Sequence, residues 1–301
     1  MLLTVYHTLS DGDFSVLMTL GSLLVLFGFG LLLAKLLLTR KLTNVSFKTL
    51  QAYALVFSAR LCSILFYEGY LPFDRSGDWF YQAVEATALA LTVGLIVGAQ
   101  ALKLKSSGDK FDTKLMERLG LPTEAGVLLL AVPALLLAAL LHPSLNNNWV
   151  TDVAWTFALY LEAVAIWPQL YIFAKEDPVK EIEPLELNFV FSLAGAWRAR
   201  PAPWAPVVPR AALPHPLTPS TTATHTHTPA PPAVARLMHF IFWVSSYQEL
   251  NDKSPTARLD RKFPGYCVVA SQVINLAILS DFIFLHLTYA HKRSAYLPQH
   301  V

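Results

Sequence analysis

Long apolar runs constrain this chain more than any other feature of its sequence. Several of them approach or exceed the roughly 20 helical residues needed to cross the hydrocarbon core of a bilayer. Only α-helices and closed barrels satisfy their backbone hydrogen bonds inside lipid. Of the 301 residues, 54% are hydrophobic and only 15% are charged, whereas soluble domains carry about 25% charged residues. The sequence therefore predicts an all-α membrane protein.

Seven candidate spans can be traced, the sixth of them interrupted. They are Phe14–Leu38, Leu50–Tyr67, Trp79–Leu102, Ala125–Leu141, Trp149–Phe173, a broken sixth near Leu187–Tyr247, and Tyr266–Tyr289. The first run is too long for a signal peptide and has neither a basic flank nor a small-residue cleavage site, so it counts as a span. The net charge of +2 gives no argument for nucleic acid, and two cysteines in apolar runs give no disulfide framework.

The orientation of the spans is predicted from the basic residues of the loops, which accumulate on the cytoplasmic side. With the N-terminus placed away from the cytoplasm, twelve lysines and arginines fall on the cytoplasmic side and five on the opposite side. The twelve are Arg40, Lys41, Lys48, Lys103, Lys105, Lys110, Lys114, Arg118, Lys175, Lys180, Lys292 and Arg293; the five are Arg75, Lys253, Arg258, Arg261 and Lys262. The count predicts that the N-terminus lies on the side away from the cytoplasm and that the C-terminus is cytosolic.

The sixth span is interrupted by a low-complexity segment rich in Pro, Thr and His at residues 197–235. It holds ten of the chain's twenty prolines, which no helix tolerates. Removing it joins two apolar halves into one complete span. Two interpretations stay open: a long disordered loop between two half-helices, or a gene-model artefact such as an unspliced intron. Either way, residues 1–301 are predicted to form a single seven-helix membrane domain.

Ionisable residues at membrane depth are costly and are functional candidates by default. Arg60 lies in the middle of the second span, Glu85 in the third, Glu162 in the middle of the fifth and Asp281 in the seventh. Arg60 is too deep to reach the interface, so its guanidinium needs a carboxylate. Two interpretations are open: a structural Arg60–Glu162 pair, or an Arg60 that receives an anionic ligand group while Glu162 orients it or accepts protons. Lys35, near the end of the first span, is expected to extend to the interface.

Other polar residues within the spans carry weaker signals. His239 and His286 could titrate at mildly acidic pH, although such histidines are more often neutral packing residues. Pro168 and Gln169 predict a kink late in the fifth span, with the amide satisfying a freed carbonyl. The sequence has no nucleotide-binding loop, HExxH or GxSxG motif. It therefore predicts a protein that is not an enzyme and that needs no metal or cofactor.

Several stretches resemble the ER lumen protein-retaining receptors, the KDEL receptors. They are VSFKTLQAYALVFSARL, WTFALYLEAVAIWPQLYIFAKE, the interrupted pair FVFSLAGA and RLMHFIFW, and LAILSDFIFLHLTYA. The resemblance runs from about Leu42 to Tyr289, and YLEAVAIWPQL is its most specific piece. Loop lengths and the HPSLNNN turn are closest to the receptor-like plant and algal branch.

The resemblance implies a seven-helix fold similar to the SWEET and PQ-loop transporters, with two three-helix bundles and a linker helix. It implies a receptor in ER and Golgi membranes that binds the C-terminal Lys/His-Asp-Glu-Leu signal of escaped ER residents in the acidic Golgi. The receptor would return them to the ER with the help of COPI and COPII coat components and release them at near-neutral pH.

The resemblance also implies roles for individual residues. Arg60 falls on the arginine that holds the signal's terminal carboxylate, and Glu162 on a glutamate of the pH-sensitive polar network. The remaining ligand-binding positions are Asp152, Trp155, Arg236 and Trp243, and Asp281 falls on the aspartate linked to return transport.

Several positions depart from the family's pattern. Leu61, Ser63, Ala196 and Ser246 stand where the family has Tyr, Asp, Tyr and Arg, and the first span contains no histidine. These departures keep two further functions open beside the sorting receptor. One is a small-solute transporter on the same fold, and the other is a structural membrane protein in which Arg60 and Glu162 form a pair without a cavity.

Overall fold

A computed structural model describes residues 15–42, 45–67, 78–104, 111, 113–143, 148–175, 239–246 and 263–296. All regular structure in these ranges is helical, which confirms the predicted class. The helices are α1 (Ser15–Thr39), α2 (Phe47–Ile64), α3 (Asp78–Ala101), α4 (Thr113–Arg118), α5 (Leu128–Leu140), α6 (Trp149–Val164), α7 (Trp167–Lys175), α8 (residues 239–246) and α9 (Phe263–Tyr296). A short 3₁₀ helix, Thr123–Val127, precedes α5.

Three of these helices are long and apolar enough to cross a membrane by length and composition. The stretches are Leu20–Thr39, Trp79–Ala101 and Trp149–Ile172. Shorter apolar helices cover Ala125–Leu140 and Gly265–Asp281. The predicted second span corresponds to α2. The low-complexity segment 197–235 and most of the sixth span lie outside the described residues. Helix α8 is the part of the sixth span that the structure describes.

Side-chain caps fix where two central helices begin. The Ser46 hydroxyl accepts a hydrogen bond from the Thr49 backbone N–H at 3.2 Å, and the Asn148 side chain accepts one from the Val150 N–H at 3.1 Å. Such caps satisfy backbone donors that have no partner within the helix. In addition, the Ser46 N–H donates to Gln169 Oε1 at 2.8 Å, so the start of α2 is fixed to α7.

Pro168 breaks the predicted fifth span into α6 and α7, because proline has no N–H to donate to the preceding turn. The Gln169 amide oxygen accepts from the Ser46 N–H, and the expectation that the Gln169 amide N–H satisfies a freed carbonyl stays a prediction. Asn275 of α9 also bonds to the backbone near this break. Its Nδ2 donates to the backbone carbonyls of Glu162 at 3.1 Å and Ala163 at 3.2 Å.

The helices differ in how much of their surface other helices cover, and two of them are central. In the stretch Trp149–Ile172 of α6 and α7, 72% of the most apolar segment is buried by protein. The corresponding share in Trp79–Ala101 of α3 is 33%. Helix α6 packs against α2, α5 and α9, and α2 packs against both α3 and α6. Helices α2 and α6 therefore form the centre of the molecule, whereas α3 has much of its surface at the periphery.

Contacts between helix ends give the relative directions of the helices. Gln82, at the start of α3, donates to the carbonyl of Ile64 at the end of α2 at 2.9 Å. Asn148, which caps the start of α6, donates to the Tyr67 hydroxyl just after α2 at 3.1 Å. Helix α2 therefore runs opposite to both α3 and α6, and its end lies beside their starts.

Lys35 departs from the sequence-based expectation. Its side chain is only 2% exposed, so it lies within the helix packing and does not extend outward to an interface. The apolar stem of a lysine can pack along neighbouring apolar side chains, which is compatible with this burial.

Candidate functional site

A buried cluster of three charged side chains lies where α2, α3 and α6 meet. Arg60 Nη1 donates to Glu85 Oε1 at 2.8 Å, and Arg60 Nη2 donates to Glu162 Oε2. All three residues are at most 4% exposed. Each terminal nitrogen of the guanidinium therefore has its own carboxylate, and the planar fork of arginine suits this arrangement.

A layer of apolar and aromatic side chains covers this charged cluster on one side. It contains Met18, Tyr81, Trp155, Leu159, Phe242, Trp243 and Val268, all buried. Trp155 and Trp243 pack edge to face, with ring centroids 5.4 Å apart and an interplanar angle of 76°. Aromatic pairs prefer this geometry because the edge of one ring is attracted to the face of the other.

On each of four helices, a residue of the aromatic layer lies one or two helical turns from a residue at the level of the charged cluster. Tyr81 and Glu85 are four residues apart on α3, as are His239 and Trp243 on α8, and Trp155 lies seven residues before Glu162 on α6. Residues at such spacings share one helix face. On α1, Met18 likewise precedes Ser22 by one turn. Helices α1, α3 and α6 therefore run from the aromatic layer towards the charged cluster, and α8 runs in the opposite direction.

One face of α6 provides three of the six predicted ligand-binding residues. Asp152, Trp155 and Glu162 recur at spacings of three and seven residues and are all buried. The face extends about 15 Å from Asp152 to Glu162 at 1.5 Å per residue. It leads from the start of the helix, past the aromatic layer, to the charged cluster.

His239 lies beside the charged cluster on α8, with its ring against Gly21 of α1. A Cβ atom on Gly21 would lie 2.2 Å from His239 Nε2 and 2.5 Å from its Cδ2. His239 is 3% exposed. The absence of a side chain at position 21 is therefore what allows the imidazole to approach α1.

Replacing Gly21 with alanine is expected to lower the free energy of unfolding by about 1–3 kcal/mol, the usual cost of an overpacked contact. Thermal unfolding of the detergent-purified protein measures the change. Gly30→Ala is the matched control, because no atom lies within 4 Å of a Cβ on Gly30 of the same helix. The Gly21→Ala/His239→Ala double variant should lose less stability than the two single changes added together. Strict additivity would contradict the contact.

A small cavity adjoins the charged cluster. Its walls include Ser22 and Val25 of α1, Val84 and Ala88 of α3, and His239 of α8. Phe57, Arg60, Glu85 and Glu162 complete the lining. It has room for about one water molecule. The Ser22 hydroxyl, 7% exposed, has no hydrogen-bond partner among the described residues.

The structure brings together five of the seven residues singled out from the sequence. Arg60 and Glu162 are in direct contact, Trp155 and Trp243 form the aromatic pair above them, and Asp152 starts the same face of α6. Asp281 is elsewhere: it is exposed on α9, six residues beyond Asn275. Arg236 lies outside the described residues, and nothing is described of the side chain of His286.

Glu85 is the member of the cluster that the sequence-based site omitted. The sequence marked it as an acid at membrane depth, but its pairing with Arg60 joins residues 25 positions apart on neighbouring helices. Among the described residues, no group of three His, Cys, Asp or Glu side chains could hold a metal ion. The arrangement is suited to binding and exchanging a carboxylate or a proton.

Comparisons with known proteins point to one family. The model of the family described as "ER lumen protein retaining receptor" matches residues 41–203. The Drosophila melanogaster ER lumen protein-retaining receptor is 29% identical over 181 residues, which are 60% of this chain and 72% of that receptor. Receptors of the same name from Petunia hybrida and Saccharomyces cerevisiae are 28% and 25% identical, covering 56% and 60% of this chain and 67% and 73% of their own lengths.

Proposed function

This chain belongs to the ER lumen protein-retaining receptor family, and from this membership and the buried cluster we propose that it is a receptor for C-terminal retention signals of ER-resident proteins. The signal would be a Lys/His-Asp-Glu-Leu tail. The observation that carries the proposal is the guanidinium of Arg60, buried where α2, α3 and α6 meet and bonded to carboxylates. A site built to hold carboxylates on a buried arginine can also hold the terminal carboxylate of a peptide.

Each predicted site residue has a role in this proposal. Arg60 binds the terminal carboxylate, and Glu162 orients the guanidinium. Trp155 and Trp243 pack against the apolar part of the tail, and Asp152 attracts its basic end. Arg236 adds a second positive charge, and Asp281 acts outside the binding site in return transport. Membership of a receptor family supports a role in binding and not in catalysis.

The charge balance of the cluster gives the sign of the pH dependence. One guanidinium and two carboxylates sum to −1, and a peptide carboxylate would make the sum −2. Buried unbalanced charge is costly, so binding should be accompanied by proton uptake. Affinity should therefore be higher in the acidic Golgi and lower at the near-neutral pH of the ER, which supports capture in the first compartment and release in the second.

We extend the proposal to the architecture. The alternating directions of α1, α2, α3, α6 and α8 support seven spans in a SWEET-like arrangement, with the N-terminus lumenal and the C-terminus cytosolic. The whole chain would form one membrane domain, and residues 197–235 would be an insertion into the sixth span or absent from the mature protein. COPI and COPII coat components and membrane lipid are the remaining proposed partners.

Peptide binding by the purified wild-type chain tests the function. A fluorescent peptide ending in His-Asp-Glu-Leu should bind at least about tenfold more tightly at a pH of about 5.5 than at about 7.4, because a buried group takes up a proton on binding. The same peptide with an amidated C-terminus is the control and should not bind. A chain that binds neither peptide at any pH between these values would contradict the proposal.

A structural role is the second candidate, and one observation favours it. Both terminal nitrogens of Arg60 already have carboxylate partners, and the adjoining cavity is small. In that case the cluster would hold α2, α3 and α6 together without a ligand. Absence of peptide binding together with strong destabilisation on removing the cluster would support this role. Uptake of a labelled solute by proteoliposomes without peptide binding would support the transporter alternative.

A further inference from the structure

Glu85 gives Arg60 a second carboxylate. Its Oε1 accepts from Arg60 Nη1 at 2.8 Å, and its side chain is 2% exposed. Glu162 already balances the charge of Arg60 from the other side. Charge balance at this depth requires only one acid for one arginine, so the second buried acid needs a physical reason of its own.

The geometry limits how a ligand can reach Arg60. A carboxylate binds a guanidinium most strongly when its two oxygens accept from two parallel N–H groups. In the present arrangement Glu85 and Glu162 each occupy one terminal nitrogen. Each terminal nitrogen carries two N–H groups. The cavity beside Arg60 has room for only about one water molecule, so a ligand carboxylate can reach the guanidinium only if a lining side chain such as Glu85 or Glu162 moves aside.

Of the two, Glu85 is the one placed to leave. Glu162 lies on α6, which is packed on several sides, and the carbonyls at its level are bonded by Asn275. Glu85 lies on α3, much of whose surface is at the periphery. The Ser22 hydroxyl lines the same cavity as Glu85, is buried and has no hydrogen-bond partner among the described residues. It offers an acceptor to a carboxylic acid that has left Arg60.

We infer that Glu85 is an internal substitute for the ligand's carboxylate: it occupies Arg60 Nη1 until a ligand arrives, and then leaves in its protonated form. This inference rests on the proposed function, and it makes Glu85 a residue that sets the affinity and the pH range of binding. The exchange is balanced, because one carboxylate replaces another on Arg60 and the displaced carboxylate takes one proton from solvent. The net charge of the cluster stays at −1.

The groups that face Glu85 are few among the described residues. Arg60 faces it from α2, Glu162 from α6 and His239 from α8. Tyr81 lies one turn before it on α3 itself. At this level α1 contributes Ser22 and Val25, and its one ionisable residue, Lys35, is about 20 Å further along the helix at 1.5 Å per residue. Protonation of His239 would reduce the negative charge, so its variant belongs in the test.

Glu85→Gln is the informative variant, because the amide keeps the shape of the side chain and removes its charge. It should bind the His-Asp-Glu-Leu peptide about tenfold more tightly than wild type at a pH of about 7.4, since the competing charged hydrogen bond is weakened. Its affinity should also depend less on pH. Glu117→Gln is the matched control, because Glu117 is exposed on α4. His239→Gln should leave the effect of Glu85→Gln in place.

A measurement on wild type does not depend on the folding of any variant. Calorimetric titration with peptide in two buffers of different ionisation enthalpy gives the number of protons taken up, expected to be about one near neutral pH. The count should fall towards zero in Glu85→Gln.

The outcomes separate the two proposals. Wild type that binds peptide without proton uptake would overturn the role of Glu85 and leave the receptor standing, as would Glu85→Gln that binds with unchanged or lower affinity. Wild type that binds no peptide would overturn the receptor itself, and the role of Glu85 with it.

Discussion

Replacing Arg60 with alanine is expected to abolish binding of the retention-signal peptide and to lower the free energy of unfolding by about 3–5 kcal/mol. The loss of binding follows from removing the cation that holds the terminal carboxylate. The loss of stability follows because Glu85 and Glu162, both almost fully buried, would lose the counter-charge that Arg60 provides. Peptide binding at a pH of about 5.5 and thermal unfolding in detergent measure the two effects.

A triple variant separates binding from stability. In Arg60→Ala/Glu85→Gln/Glu162→Gln no charge is left at the cluster, so most of the lost stability should return. Peptide binding should not return, because the guanidinium is still absent. A triple variant that is stable and binds peptide as wild type does would exclude Arg60 as the carboxylate site. Arg60→Lys is a further comparison, since an ammonium keeps the charge but not the two-pronged geometry.

Replacing Trp243 with alanine is expected to lower the free energy of unfolding by about 3–5 kcal/mol, the usual cost of truncating a fully buried tryptophan. Trp243 is 1% exposed and packs edge to face on Trp155. Removal of the indole would open a cavity between α6 and α8, beside the charged cluster. Thermal unfolding measures the change, and peptide affinity should fall with it, because the indole is a proposed wall of the site.

Trp79→Ala is the matched control for this change. Trp79 lies near the start of α3 and is 67% exposed, so its truncation opens no cavity. Trp243→Phe should retain part of the stability, since a smaller aromatic ring still fills some of the space. Equal losses in Trp243→Ala and Trp79→Ala would contradict the packing described for α8.

Depth in the predicted spans was the signal by which the sequence identified two residues of the charged cluster. Arg60 and Glu162 lie midway along apolar runs, and a buried arginine requires an acid at hydrogen-bond distance. The structure places the two side chains in direct contact. The seven-residue spacing of Trp155 and Glu162 likewise placed both on one face of α6, because two helical turns bring a side chain back to the same side.

The sequence failed where a partner was chosen by packing between distant segments. The Gln169 amide oxygen bonds to the Ser46 N–H across 123 residues, and Asn275 of α9 donates to the carbonyls of Glu162 and Ala163; neither partner was predicted. Local spacing identifies which carbonyls a proline frees, but it does not identify which neighbouring helix will supply the donor.

The sequence by itself determined the helical class, the positions of the apolar segments and the set of ionisable residues at membrane depth, because hydropathy and side-chain charge are local properties of the chain. Only the tertiary structure decided that Glu85 joins Arg60, that His239 fits against Gly21, and that Trp243 covers the cluster beside Trp155. These contacts depend on how the helices are rotated and how closely they approach each other. Rotation and approach are set by the packing of all their faces together, which no single helix encodes.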